Sequence, residues 1–180
     1  MHLTRRKLLG VSALGVAGGL LGLTACSRAA PVAAAEPARK FEVMRTDAQW
    51  QQQLTPAQYS VLRRKGTERP YSSPLNKEHR KGTFTCAGCA LPLFSSSTKF
   101  DSGTGWPSFW APLHDAVGED RDTSYGMVRV EAHCRRCGGH LGHVFDDGPR
   151  PTGLRYCMNG VAMNFMADSE EMRVRVPNRT

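Results

Sequence analysis

The sequence predicts a mainly β domain of small antiparallel sheets with short helices at its N-terminal end, and three observations carry that expectation. From Gly103 to Gly160, glycine and proline recur every several residues, so no helix longer than three turns fits there. Thr83-Phe84-Thr85-Cys86, Met127–Glu131 and Leu154–Met158 are short runs of β-type composition, and Met172–Val176 alternates apolar Met172, Val174 and Val176 with Arg173 and Arg175. Two helix-start signatures precede these runs, and two Cys-x2-Cys pairs stand where they can staple loops together.

In chain order, residues 1–26 have the make-up of a targeting signal. Arg5-Arg6-Lys7 reads as a twin-arginine start. The uncharged stretch from Leu8 to Cys26 carries five glycines, which suits a transient signal better than a permanent span. An uncleaved N-terminal anchor is the alternative. Leu23-Thr24-Ala25-Cys26 resembles a bacterial lipobox, in which Cys26 becomes the lipidated first residue; a cut near Ala33-Ala34-Ala35 would instead release a soluble protein. The lipoprotein reading is preferred because Cys26 directly follows the apolar stretch. Residues 27–44 form an Ala/Pro-rich tether. The expected location is periplasmic or on the extracytoplasmic face of a bacterial membrane, held at the membrane surface if Cys26 is lipidated.

The folded domain is expected over residues 45–170, with a C-terminal strand and tail over 171–180. Thr46-Asp47-Ala48-Gln49 and Thr55-Pro56-Ala57-Gln58 fit capping boxes, the second with proline at the first helical position. The first helix places Trp50 and Leu54 one turn apart. The second is expected to bury Tyr59 and Leu62 and to close on Arg63-Arg64-Lys65 with Gly66 as its cap.

A chain of 180 residues can bury a real core, and 40% apolar with 22% charged residues is ordinary globular composition. The formal charge of +8 falls to +5 once Arg5, Arg6 and Lys7 are removed with the signal. The remaining cations are scattered and lack interleaved aromatics, which argues against a nucleic-acid partner.

Cys86-Ala87-Gly88-Cys89 and Cys134-Arg135-Arg136-Cys137 suit a four-thiolate site for one structural Zn²⁺, closed to substrate because no coordination position is left open. Disulfides compete with this reading in an oxidising compartment, although twin-arginine cargo folds, and can take up metal, in the reducing cytoplasm. A thioredoxin-like redox pair is disfavoured, since neither motif has strand-then-helix flanks. Cys157 stands alone in Arg155-Tyr156-Cys157-Met158-Asn159, where period two aligns Arg155, Cys157 and Asn159 on one face. A guanidinium beside a thiol should lower its pKa, and an asparagine can hydrogen-bond a thiolate or substrate. An inert buried thiol is the bland alternative. His140 and His143 are candidates for proton delivery, but on a regular strand they would face opposite sides unless Gly142 marks a bend or bulge. One of the pair could be purely structural. The loop Gly103–Trp110 gathers Trp106, Phe109 and Trp110 into a Gly/Pro-constrained segment that could be an apolar cup or a plain core strand.

Several of these stretches resemble the B-type methionine sulfoxide reductases: Leu54–Tyr59, Gly66–Pro70, Lys99–Phe109, His140–Phe145 and Asp147–Asn159. The resemblance runs from about Trp50 to Phe165. It implies Cys157 as catalytic nucleophile, with His140, His143, Arg155 and Asn159 shaping the sulfoxide site, and zinc on the four paired cysteines. Trp106 would line the pocket for the substrate methyl group, with Phe109 and Phe165 as further substrate-binding residues. The implied substrate is the R epimer of methionine sulfoxide in peptides and proteins, and the enzyme is expected to act as a monomer. The chain departs from the family pattern at Thr104, where many members carry a resolving cysteine, and at Gly160, where serine is usual and whose glycine should loosen the strand end. A Cys157 sulfenic acid, reduced by an external thioredoxin-like thiol, is the expected course. A zinc-knuckle binding module without catalysis and a disulfide oxidoreductase are the competing classes.

Overall fold

The computed structural model describes residues 40–168. The segment read as a signal, with Cys26, residues 27–39 of the segment read as a tether, and the strand expected at Met172–Val176 lie outside the described residues. Among those described, no helix is long and apolar enough to cross a membrane.

Two short helices open the domain, α1 (Asp47–Gln53) and α2 (Pro56–Arg64), and both capping boxes are present. Thr46 Oγ1 accepts from the Gln49 N–H while Gln49 Oε1 accepts from the Thr46 N–H, and Thr55 and Gln58 repeat the exchange. Each cap is worth about 1 kcal/mol, enough to fix the start of a helix too short to persist alone. α1 buries Trp50, and Leu54 follows it into the core. α2 buries Val61 and Leu62, whereas Tyr59 is half-buried, its ring under the Arg64 guanidinium. Its last turn also departs from expectation. Lys65, not Gly66, adopts the left-handed conformation (φ 54°), and its ammonium reaches Glu131 Oε2 at 2.5 Å. Gly66 is needed for a different reason: a Cβ there would meet Ser60 Oγ at 2.9 Å.

Nine strands follow among the described residues: β1 (Gly82–Cys86), β2 (Pro92–Ser95), β3 (Lys99–Phe100), β4 (Ser108–Phe109), β5 (Val117–Asp122), β6 (Arg129–Cys134), β7 (His140–Phe145), β8 (Arg155–Met158) and β9 (Met163–Ala167). They form a three-stranded sheet in the order β2-β1-β9 and a six-stranded sheet in the order β3-β4-β8-β7-β6-β5, with every pairing antiparallel. The mainly β class read from the sequence is the class observed. The strand expected at Met127–Glu131 begins two residues later, after a turn over Ser124–Gly126. β5, Val-Gly-Glu-Asp-Arg-Asp, has no apolar alternation because it is an edge strand with one side open to water.

Aromatic rings join the two sheets. Phe109 of β4 stacks on Phe94 of β2 at 4.3 Å between centroids and meets Phe84 of β1 edge-on at 4.9 Å. All three are fully buried, and Leu93, Leu141 and Met158 complete this part of the core. Burying a phenylalanine contributes about 1.5–3 kcal/mol, so this cluster is a main anchor of the sheet pair.

Candidate active site and cysteine knuckles

Strand register assembles the site. Ser108 of β4 is paired with Cys157 of β8, Cys157 with His143 of β7, His143 with Glu131 of β6, and Glu131 with Asp120 of β5. Directly paired residues in an antiparallel sheet carry their side chains on the same face, about 5 Å apart at Cβ. One row across five strands therefore holds a hydroxyl, a thiol, an imidazole and two carboxylates. Gly142 makes the central pairing possible: a Cβ there would fall 2.1 Å from the Cys157 carbonyl oxygen. Only glycine lets β7 approach β8 this closely beside the thiol.

The two histidines do come together. The β6–β7 register shifts between Ala132, paired with Gly142, and His133, paired with His140, which leaves Leu141 as the extra residue of a bulge. The His140 and His143 rings then meet edge-on at 5.3 Å. Their environments separate their roles. Asp122 Oδ2 lies 2.8 Å from His143 Nε2. The Asp122 carboxyl is held well below the usual carboxylate range, first by the Ser124 backbone N–H and hydroxyl and then by His143. An ionised carboxylate only accepts, so Nε2 carries the proton and Nδ1 is the basic atom of the ring. Burial lowers the His143 pKa, opposed by Asp122, so the imidazole is neutral near pH 7. His140 is deeper, with Nδ1 2.8 Å from Glu131 Oε1. Burial pushes the Glu131 carboxyl up, but His140 and Lys65 outweigh it and hold it at about 2. His140 thus buttresses His143 from behind.

Arg155 pairs with both Asp147 oxygens, at 2.7 and 2.9 Å, and lies over the Phe145 ring at 4.4 Å. Arg155 lowers the Cys157 pKa through its charge and a hydrogen bond, in the direction the sequence suggests, and the Thr104 and Ser108 hydroxyls act the same way, but burial of the sulfur is larger and the net shift is upward.

Asn159 is likewise committed. Its Oδ1 accepts from the Glu68 N–H at 2.9 Å and its Nδ2 donates to the Leu141 carbonyl at 3.0 Å. The side chain ties the end of β8 to β7 and to segment 66–70, a positioning task. Glu68 is the hub that sequence reasoning missed. Its carboxylate accepts from the Gly160 and Val161 N–H groups at 2.7 and 2.8 Å, and its carbonyl accepts from Trp106 Nε1 at 3.2 Å. No local pattern flags a carboxylate whose partners lie 92 and 93 residues away. Gly160 does not loosen this region. A Cβ at 160 would meet Ser73 Oγ at 2.0 Å, so the Ser73 side chain fills the space a residue-160 side chain would take.

A cavity of about 140 Å³ opens above the thiol, lined by Thr67, Trp106, Arg129, Gly142, His143, Phe145, Cys157 and Asn159. It lies between two broader clefts, one sharing Arg129 and Phe145, the other Thr67, Arg129 and His143. Trp106, His143, Cys157 and Asn159 are thus brought together, while His140 and Arg155 stand behind the lining. Phe109 and Phe165 are not in it. Phe109 is core, and Phe165 packs on Phe84 at 4.9 Å in the other sheet, beneath the Arg80 guanidinium.

The four paired cysteines meet where β1 and β6 end. Their sulfurs all lie within 4.8 Å of one another, with Cys86–Cys137 at 3.7 Å and Cys89–Cys134 at 3.5 Å. About 3.8 Å separates sulfurs at the corners of a tetrahedron with bonds of about 2.3 Å, so the donor set fits a four-thiolate metal site. No disulfide joins them. Gly138 (φ +69°) supplies the left-handed residue of one knuckle and Ala90 (φ +58°) that of the other. The helices seat on both knuckles: Gln53 Nε2 donates to the Gly88 carbonyl and Arg63 Nη1 to that of Cys137. Cys157 is the one described cysteine outside the group.

Comparison with known proteins agrees with this geometry. A family model described as the SelR domain matches residues 54–167. The chain is 53% identical over 129 residues to peptide methionine sulfoxide reductase MsrB of Leptospira interrogans serogroup Icterohaemorrhagiae serovar Lai (strain 56601), an alignment covering 71% of this chain and 98% of that one. It is 57% identical over 125 residues to the MsrB of Pseudomonas putida (strain W619), covering 69% and 94%. With the MsrB of Methanosarcina barkeri (strain Fusaro / DSM 804) it shares 55% identity over 133 residues, covering 71% and 91%.

Proposed function

This chain belongs to the SelR-domain family of B-type peptide methionine sulfoxide reductases, and on that premise we propose that it reduces methionine-R-sulfoxide in peptides and proteins through Cys157. The observation that carries the reading is the cross-strand pairing of Cys157 with His143 beneath the Trp106 cavity. A cavity of about 140 Å³ leaves room for the sulfoxide group and methyl at the tip of an oxidised methionine. The Trp106 and Phe145 rings suit the methyl end, and the flanking clefts leave room for the chain on either side.

The balance of the reaction is simple. A thiol and a sulfoxide give a sulfenic acid and a thioether, so the one proton the sulfoxide oxygen needs is the thiol's own. Raised Cys157 and lowered His143 describe a neutral pair that holds this proton until substrate arrives. His143 Nδ1 takes the proton and delivers it to the sulfoxide oxygen while the sulfur anion attacks the electrophilic sulfur. The oxygen passes to Cys157 as methionine leaves. The Thr104 hydroxyl, 3.8 Å from Cys157 Sγ, occupies the place where a resolving sulfur would act. One thiol of an external thioredoxin-like dithiol protein therefore attacks the sulfenic acid and expels water to give a mixed disulfide, and its second thiol releases Cys157 by exchange.

Cys86, Cys89, Cys134 and Cys137 would hold one Zn²⁺, which clamps the ends of β1 and β6 and takes no part in the reaction. We place the enzyme outside the cytoplasm, tethered through lipidated Cys26, where it would repair oxidised envelope proteins.

The test is a stereospecific assay with R and S sulfoxides on wild type and Cys157→Ser. The R epimer should be consumed and the S epimer spared, with turnover abolished in the variant. Turnover that survives in Cys157→Ser, or an internal disulfide at Cys157 after substrate without reductant, would overturn the reading.

A further inference from the structure

Three hydroxyl groups run in line to the nucleophilic sulfur. Fully buried Ser108 has its Oγ 2.7 Å from Ser102 Oγ, which lies 2.8 Å from Thr104 Oγ1, and Thr104 Oγ1 stands 3.8 Å from Cys157 Sγ. At the far end Ser108 Oγ lies 3.2 Å from the carbonyl oxygen of Trp106. Each hydroxyl has one proton to give and lone pairs to accept with, so the line has two complete proton orders. In the first, the Cys157 thiol donates to Thr104, Thr104 to Ser102, Ser102 to Ser108, and Ser108 to the Trp106 carbonyl. In the second every O–H turns round: Ser108 donates to Ser102, Ser102 to Thr104, and Thr104 to the sulfur, leaving the Trp106 carbonyl without that bond.

A thiolate can only accept, so the first order fits the thiol and the second fits the sulfur anion. We propose that Ser108, Ser102 and Thr104 form a hydrogen-bond wire that reverses when Cys157 ionises, giving the sulfur anion a donor from Thr104 and coupling its charge to the backbone of the Trp106 loop. Within the wire only O–H bonds rotate; the one bond broken is the S–H bond of Cys157, whose proton passes to His143 Nδ1. Thr104 is then a donor to the reacting sulfur, and Ser102 and Ser108 are positioning residues that orient it. The inference rests on Cys157 as nucleophile and adds how a buried thiol ionises at all. The charged and titratable groups that face it are Arg155 on its own strand, held by Asp147, and His143 and Arg129 across the cavity. Of these, Arg155 is held by Asp147 yet still favours the anion through its charge and a hydrogen bond, and His143 is neutral near pH 7. Among the contacts that favour the anion, the Thr104 hydroxyl is the largest; Ser108, paired with Cys157 across the strands, also faces the sulfur, so its one proton goes either to Ser102 or to the sulfur itself.

The experiment follows alkylation of Cys157 by iodoacetamide against pH, read peptide by peptide on the metal-loaded full chain, so the result does not depend on reductase turnover. Thr104→Val should raise the pH of half-maximal rate by about one unit, the size of one lost hydrogen bond to a charged group. Thr104→Ser should restore the wild-type profile. Ser102→Ala, which cuts the wire with little packing change, should shift it in the same direction by about half as much. Near-UV circular dichroism establishes folding, and if Thr104→Val fails it, Ser102→Ala decides the matter. Profiles unmoved in Thr104→Val and Ser102→Ala, or a folded Thr104→Ser that stays shifted, would overturn the wire. Loss of the proposed activity itself is read separately, from Cys157→Ser.

Discussion

Replacing Gly160 by serine puts a side chain where Ser73 already stands. The new Cβ would lie 2.0 Å from Ser73 Oγ and 2.5 Å from its Cβ, against a contact distance of at least 3.4 Å. Ser73 cannot simply turn away. Its hydroxyl accepts the Leu75 N–H at 3.2 Å and caps the 3₁₀ turn Pro74–Lys77. Overpacking of this kind costs about 1–3 kcal/mol, and losing a serine cap adds about 0.5–2 kcal/mol. Gly160→Ser alone should therefore destabilise the domain by about 2–4 kcal/mol. Ser73→Gly alone should cost only a few tenths, since glycine is tolerated at such a cap. In the double variant the new serine has room, so most of the loss should return, leaving a coupling energy of about 1.5–3 kcal/mol. The assay is urea unfolding of the four proteins with the slope checked for constancy. A Gly160→Ser variant within about 0.5 kcal/mol of wild type, or a double variant no better than Gly160→Ser, would refute the claim that these two side chains compete for one space.

Other outcomes follow from the same geometry. Metal analysis should find one zinc per chain, and Cys134→Ser or a strong chelator should lower the unfolding midpoint sharply, because removing one ligand opens the clamp between the ends of β1 and β6. The pH profile of kcat/KM should have an acid limb below the usual histidine value, since burial lowers His143, and an alkaline limb above the usual thiol value, since burial raises Cys157; the two limbs report the pair. Glu131, folded at about 2 against an ordinary 4.5, contributes stability that is complete above the ordinary value and is lost as pH falls toward 2. Glu131→Gln should flatten acid unfolding across that window, measured by circular dichroism, and an unchanged acid slope would contradict the ion-pair assignment.

What the sequence alone determined was local. The capping boxes at Thr46 and Thr55 could be read directly because their partners are three residues apart, and the two Cys-x2-Cys turns because a knuckle encodes its own geometry. The lone Cys157 stood out once the other described cysteines were paired. Tertiary structure decided what each group does there. His143 rather than His140 lines the cavity because a bulge at Leu141 brings both rings to one side, and partners on β5 and β6 then fix their protons. The family resemblance implied Phe109 and Phe165 as substrate-binding residues, yet sheet packing draws both into ring clusters around Phe84. Arg155 favours the thiolate, as its place beside Cys157 suggested, but burial of the sulfur prevails. Glu68 carried no local signal, because its work is to join segments that meet only in the folded chain. Spacing along the chain fixes which side chains share a turn or a strand face, whereas register and burial across strands set their charge, their partners and their access to substrate.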